Sequence, residues 1–231
     1  MPQSRLILLR HGESLYNQQG VFTGWTDVEL SPKGREEAED AGKRLLAHGL
    51  YPDICFTSWL KRSIHTAQIT LAAMEWEHID LHRSWRLNER HYGAWQGQKK
   101  EMVKAEVGEA HFLAVRRGYD TPPPPLDDEA YERLRQERKY HALDPSLLPR
   151  SESLKDTHHR VIPYWKSHII PELKRGRTVL LAAHGNSLRA LLMELDRLTP
   201  EEIVKTEIPT GVPICYTFDE TLQVARKVYL E

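Results

Sequence analysis

The strongest constraint on what this chain can fold into is a repeated pattern. Short, continuously apolar runs alternate with amphipathic stretches, and two of the runs end in the same dipeptide. Ser4 to Arg10 (SRLILLR) stops at His11-Gly12, and Arg177 to Ala183 (RTVLLAA) stops at His184-Gly185. An apolar run without alternation predicts a strand buried on both faces. Asp53 to Ser58 (DICFTS) predicts a third. Between them, Ser31-Pro32 opens a helix to about His48, with Ser as N-cap, Pro in the first turn and Gly49 closing it. Residues 60–76 place Leu60, Ile64, Ala67 and Leu71 on one helical face. Helical patterns also fit about 99–117, Glu152 to Leu173 with a kink at Pro163, and a stretch starting at Ser187. The segment 119–150 reads as loop, Pro122 to Pro125 opposing regular structure. PICYTFD and LQVARKVYL flank Glu220-Thr221 and predict a terminal hairpin. The expected fold is therefore α/β: a mostly parallel central sheet flanked by helices on both faces, with an antiparallel edge strand. Its 231 residues suit a single domain over 1–231, with a helical and loop-rich insertion at about 95–150. Such sheets bind ligands beyond the carboxyl ends of their strands, which is where both His-Gly pairs lie.

Composition narrows the functions. Lys and Arg total 32 against 33 Asp and Glu, a net charge of −1, which argues against a nucleic-acid binder. No run of 18 apolar residues could cross a bilayer, and the start MPQSRLILLRHG does not read as a signal peptide. Cys55 and Cys215 lie in apolar runs and read as buried thiols of a reducing compartment, so a cytoplasmic protein without membrane partners is expected. There is no GxxxxGK[ST], GxGxxG or HExxH, and the cysteine spacing does not suit zinc, so no metal is expected.

One histidine after a strand is usually structural; two His-Gly pairs, one preceded by Arg10, are not easily dismissed. Imidazole is a competent nucleophile near neutrality, and a guanidinium matches phosphate oxygens. The Arg10-His11 pair therefore suits attack on phosphorus, giving a phosphohistidine, with His184, if protonated, stabilising the oxygens in flight. Arg62, and Arg116-Arg117 beside the proline run, offer further cations, though any one arginine is by itself most simply a surface charge. Glu89, in LNERHYGAWQG, is a candidate proton carrier, with Tyr92 and Lys100 near enough in sequence to hold a second anionic group.

LLRHGES, NQQGVFTGWTDVELSPKG, TSWLKRSIHTA, LNERHYGAWQG, VRRGYDTPPPP, SESLKDT, AAHGNSLRALL and IPTGVPICY together carry a resemblance running from about Leu6 to Tyr229. The chain resembles the histidine phosphatase superfamily through RHG. Through ERHYGAWQG and the double arginine it resembles, more closely, the 2,3-bisphosphoglycerate-dependent phosphoglycerate mutases. The resemblance implies that His11 is phosphorylated, that Arg10, Arg62 and His184 surround the phosphoryl group, and that Glu89 donates and accepts the proton. It implies that Asn17, Thr23, Gly24, Tyr92, Lys100, Arg116, Arg117, Gly185 and Asn186 hold the substrate. The implied reaction interconverts 3-phosphoglycerate and 2-phosphoglycerate in glycolysis and gluconeogenesis, with 2,3-bisphosphoglycerate as primer and no metal. Related mutases are often homodimers or homotetramers, and the sequence does not decide between these states. Three departures stand out: Gly118 where the family usually has Ser, Trp95 with Gln98-Lys99 after Glu89, and a stop at Glu231 where a C-terminal tail commonly folds over the pocket. From that stop a larger phosphatase leak is expected. A phosphomonoesterase acting on another small phosphate is the alternative. A non-catalytic phosphoanion-binding protein is a third reading, against which the presence of His11, Glu89 and His184 weighs.

Overall fold

The computed structural model describes residues 4–231. Six strands, β1 (Arg5–Arg10), β2 (Ile54–Thr57), β3 (Leu81–Arg83), β4 (Thr178–Ala183), β5 (Ile214–Phe218) and β6 (Val224–Tyr229), form one sheet in the order β3-β2-β4-β1-β5-β6. The first four are parallel neighbours, and β5 pairs antiparallel with both β1 and β6, so the predicted hairpin supplies one edge. Strand β3 has no apolar run to announce it and was not anticipated.

Among the described residues ten α-helices join the strands: α1 (Leu15–Gln18), α2 (Pro32–Ala47), α3 (Lys61–Ala72), α4 (Lys100–Val107), α5 (Glu109–Arg117), α6 (Asp128–Gln136), α7 (Leu154–Tyr164), α8 (Ile170–Lys174), α9 (Gly185–Leu195) and α10 (Pro200–Ile203). Alternation along β1 divides the core. Leu6 and Leu8 pack with Val161, Leu188 and Leu191 under α7 and α9, whereas Ile7 and Leu9 pack with Ala41, Leu45, Ala67 and Leu71 under α2 and α3. Both faces are covered because a strand apolar on both sides must be.

Five expectations need correction. The helix expected over 99–117 is two, broken at Gly108, whose φ of 81° has no place in a right-handed helix. The segment 119–150 contains α6: the prolines exclude regular structure only where they stand, and Asp127 caps a helix just beyond them by accepting from the Ala130 N–H at 2.7 Å. Helix α3 stops at Ala72, short of the expected 76. The stretch 152–173 is interrupted after α7, where Pro163 lacks an N–H to donate and a wider π-helical turn, Trp165–Ile169, follows. Helix α9 starts two residues earlier than expected, at Gly185, with His184 as its N-cap. Cys55 and Cys215 are buried and unbridged. Among the described residues no helix is long and apolar enough to cross a membrane.

Candidate active site

Strands β1 and β4 are adjacent, with Arg10 opposite Ala183, so His11 and His184 leave the sheet side by side. Their rings face edge to face at 61°, with centroids 5.0 Å apart. Gly12 can only be glycine: a Cβ there would lie 2.1 Å from the Gly34 carbonyl oxygen. That contact brings the start of α2 against the turn after β1.

His11 is 3% exposed. Its Nδ1 lies 2.7 Å from the Gly12 carbonyl, which can only accept, so Nδ1 carries the proton. Nε2 is left with its lone pair and accepts from Arg62 Nε at 3.3 Å. Burial first, then the guanidiniums of Arg62 and Arg10, hold the imidazole well below its usual value, against the opposing pull of the Gly12 carbonyl. A neutral ring with a bare Nε2 is the nucleophilic form. Arg62, fully buried on α3, also donates to the Gly24 and Thr26 carbonyls at 2.8 and 3.1 Å. Burial lowers its pKa to about 10, so it remains a cation at pH 7. His184, wholly buried, meets Ser58 Oγ at 2.8 Å through Nε2. Burial, then Arg62 and His11, keep it well below the ordinary imidazole value, so a neutral ring stands here and the protonation on which its stabilising role was conditioned is disfavoured.

Glu89 is held by its own chain and by α9. Oε1 accepts the backbone N–H groups of Arg90 (2.8 Å) and Asn186 (3.0 Å), and Oε2 lies beside Gly185. Its carbonyl accepts from Trp25 Nε1 (2.6 Å) and Arg160 Nη2 (2.9 Å). Tyr92 accepts from Arg90 Nη2 at 2.7 Å and Asn186 Nδ2 at 3.3 Å, which leaves its own proton to donate. Burial works against ionisation there, yet the Arg90 charge together with the hydrogen bonds from Arg90 and Asn186 brings the phenol below its usual range.

A cleft of about 690 Å³ opens over these groups. It is lined by Arg10, His11, Asn17, Thr23, Gly24, Arg62, Glu89, Tyr92, Lys100, Arg116, Arg117, Gly185 and Asn186; of the residues singled out in the sequence only His184, whose ring packs against His11, is not among those lining it. Lys100 is lowered by burial and by Arg116, and Arg116 by burial and Arg117: cations crowded together, of which, among the described residues, only Arg117 has an acidic partner, Glu207. Such a pocket is fit for a ligand with more than one anionic group. The N-terminus of α9, with Gly185 and Asn186, adds its partial positive charge.

Sequence reasoning missed four contributors. Arg189 lies one turn beyond Asn186 on α9, donates to its Oδ1 at 2.9 Å and reaches the Arg117 and Ile203 carbonyls. Arg90, fully buried, caps the Val115 and Arg116 carbonyls at the end of α5. Glu207 sits at the cleft and pairs with Arg117 at 3.2 Å. Ser58 touches His184. Only spacing hinted at any of them: Asn186 and Arg189 are i and i+3 on one helix.

The buried imidazoles make a stability prediction. His11, His184 and His91 are neutral when folded, His91 being lowered to about 3 chiefly by burial. Unfolded, each protonates below about pH 6.5. The unfolded chain then binds more protons, so stability is fully present above that pH and is lost as pH falls, each ring contributing up to roughly 1.4 kcal/mol per pH unit. The urea midpoint is expected to be clearly lower at pH 5.5 than at 7.5; equal midpoints would contradict the burial of neutral rings.

With fold and geometry established, the class follows. The family described as Histidine phosphatase superfamily (branch 1) matches residues 6–137 and 126–229, and the chain belongs to it. Solved structures of the same fold include Mycobacterial hydrolase 1 (TM-score 0.73, 23% identity, 97% of this chain and 95% of that one). Another is mycobacterial glucosyl-3-phosphoglycerate phosphatase in complex with VO3 (TM-score 0.69, 26% identity, 92% of each chain). Sequence relatives stand much nearer. The chain is 52% identical over 219 residues to the 2,3-bisphosphoglycerate-dependent phosphoglycerate mutase of Thermobifida fusca, covering 94% of this chain and 88% of the relative. It is 50% identical to the protein of the same name from Nitratidesulfovibrio vulgaris, covering 97% and 90%.

Proposed function

We propose that this protein is an isomerase that interconverts 3-phosphoglycerate and 2-phosphoglycerate through a phosphohistidine at His11. The observation that carries the reading is the bare Nε2 of a neutral, buried His11 facing a cleft lined by cations. Relatives of that activity at 50–52% identity support it. In phosphate transfer His11 Nε2 forms the bond to phosphorus as the bond from phosphorus to the substrate oxygen breaks. Arg10 and Arg62 hold the equatorial oxygens, with His184, packed against His11, as a further donor. Glu89 Oε2 gives a proton to the departing oxygen and takes one from the hydroxyl that later attacks the phosphohistidine. Asn17, Thr23, Gly24, Tyr92, Gly185 and Asn186 orient the three-carbon acid. Lys100, Arg116 and Arg117 hold the anionic group farthest from His11.

The residues present suit 2,3-bisphosphoglycerate as primer. Among the described residues the buried Nε of Arg10, of Arg189 and the Nδ1 of His184 have no partner, and of the distal cations Lys100 and Arg116 have no ion-pair partner while Arg117 meets Glu207. Bound, that compound supplies the phosphoryl group that loads His11. Among the described residues no cluster of three or more His, Cys, Asp or Glu is arranged for a metal, and the steps above are assigned to side chains alone. The 231 residues act as one domain, the segment of about 95–150 building the distal half of the cleft. An enolase-coupled assay with 3-phosphoglycerate, with and without primer, tests the reading. Primer-stimulated turnover is expected, with an acid-labile label on His11 after exposure to labelled 2,3-bisphosphoglycerate. Hydrolysis of the phosphate ester without isomerisation would favour a phosphomonoesterase instead.

A further inference from the structure

We propose that Ser58 is a positioning residue. With Ser63 and Thr57 it fixes which nitrogen of His184 carries the proton, so that Nδ1–H is presented to the transferring phosphoryl group. The inference rests on the phosphoryl-transfer reading of the cleft.

Thr57, Ser58, Ser63 and His184 are all fully buried where β2 ends beside β4. Thr57 Oγ1 donates to Ser63 Oγ at 3.1 Å, Ser63 and Ser58 are 2.5 Å apart, and Ser58 Oγ is 2.8 Å from His184 Nε2. Each hydroxyl has one proton, so direction along the chain can be worked out. Ser63 has two outlets, Ser58 and the Leu60 carbonyl at 3.2 Å. That carbonyl already accepts the N–H groups of Ser63 and Ile64, which use both its lone pairs. The proton of Ser63 therefore goes to Ser58. Ser58 also accepts the Leu60 N–H at 3.0 Å, so its oxygen is filled and its own proton passes to Nε2. A neutral imidazole accepting at Nε2 carries its hydrogen on Nδ1. Nδ1 is the atom of His184 that is buried with no partner among the described residues, on a ring packed against His11. The opposite polarity would aim a lone pair at phosphoryl oxygens. Burial first, then Arg62, His11, Arg160 and Arg10, disfavour an imidazolium here, which leaves a neutral N–H as the donor available.

The test uses the whole ¹⁵N-labelled protein. Two-bond ¹H–¹⁵N correlations between pH 7 and 8 are expected to show His184 as the Nδ1–H tautomer. In Ser58→Ala this signature is expected to be lost or mixed. Turnover of the variant should fall on the order of 10²-fold while KM moves less than about threefold, since the lost donor acts in the transition state. Ser58→Thr, which restores the hydroxyl, should recover kcat to within about fivefold and the tautomer with it. A wild-type His184 protonated at Nε2 overturns the proposal even if no variant folds. Unchanged tautomer and kcat in Ser58→Ala overturn it equally. Failure of the isomerase reading is distinguishable: wild-type protein would then lack primer-dependent turnover whatever the tautomer.

Discussion

His11→Ala is expected to lower isomerase turnover on the order of 10⁴-fold or more, since no other group can accept the phosphoryl group in its place. The substitution removes a ring whose partners are the Gly12 carbonyl and Arg62 Nε, so a stability loss of about 1–3 kcal/mol is the expected structural cost and the fold persists. The cations of the cleft are untouched. The variant should therefore still bind 2,3-bisphosphoglycerate in calorimetry while failing to retain acid-labile phosphate. Turnover above about one-hundredth of the parent's would show that the nucleophile lies elsewhere.

Arg62→Ala is expected to cost about 10²-fold or more in kcat, because a buried donor aimed at the reacting nitrogen and at the phosphoryl oxygens is lost. A second effect comes from the same side chain. Its Nη atoms satisfy the Gly24 and Thr26 carbonyls, so truncation also unties the loop that carries Thr23 and Gly24. Thermal stability and substrate KM should both suffer, whereas His11→Ala affects chiefly kcat. Arg62→Lys is not expected to rescue, since one ammonium cannot serve His11 and two carbonyls at once. A change in kcat under about threefold would place Arg62 outside the transition state.

How far the sequence disclosed all this depends on whether the signal was local. Strand β1 and strand β4 declared themselves by apolar runs, and the shared His-Gly ending pointed to one rim. Glu89 and the Arg116-Arg117 pair stood in distinctive stretches, and the resemblance tied them to the histidines. Ser58 was illegible because its role exists only through sheet order: Thr57 stands opposite Ala182, which brings the turn after β2 beside the turn after β4 and lets Ser58 reach His184. Arg90 and Arg189 likewise act by capping carbonyls of α5, a contact that no spacing encodes. Helix α6 was hidden by the prolines before it, although Asp127 was a readable cap. Gly108 inside the 99–117 pattern was the visible sign of two helices.

The place of β1 in the sheet has a consequence for biosynthesis. Its neighbours are β4 and β5, both made late, so Leu6 to Leu9 emerge from the ribosome long before any strand can pair with them. Until then a fully apolar segment has two open edges, a state prone to association with other chains. Nascent protein should accordingly depend on holding factors, and enzymatic competence should arise in a single late event, when β5 closes on the first strand synthesised.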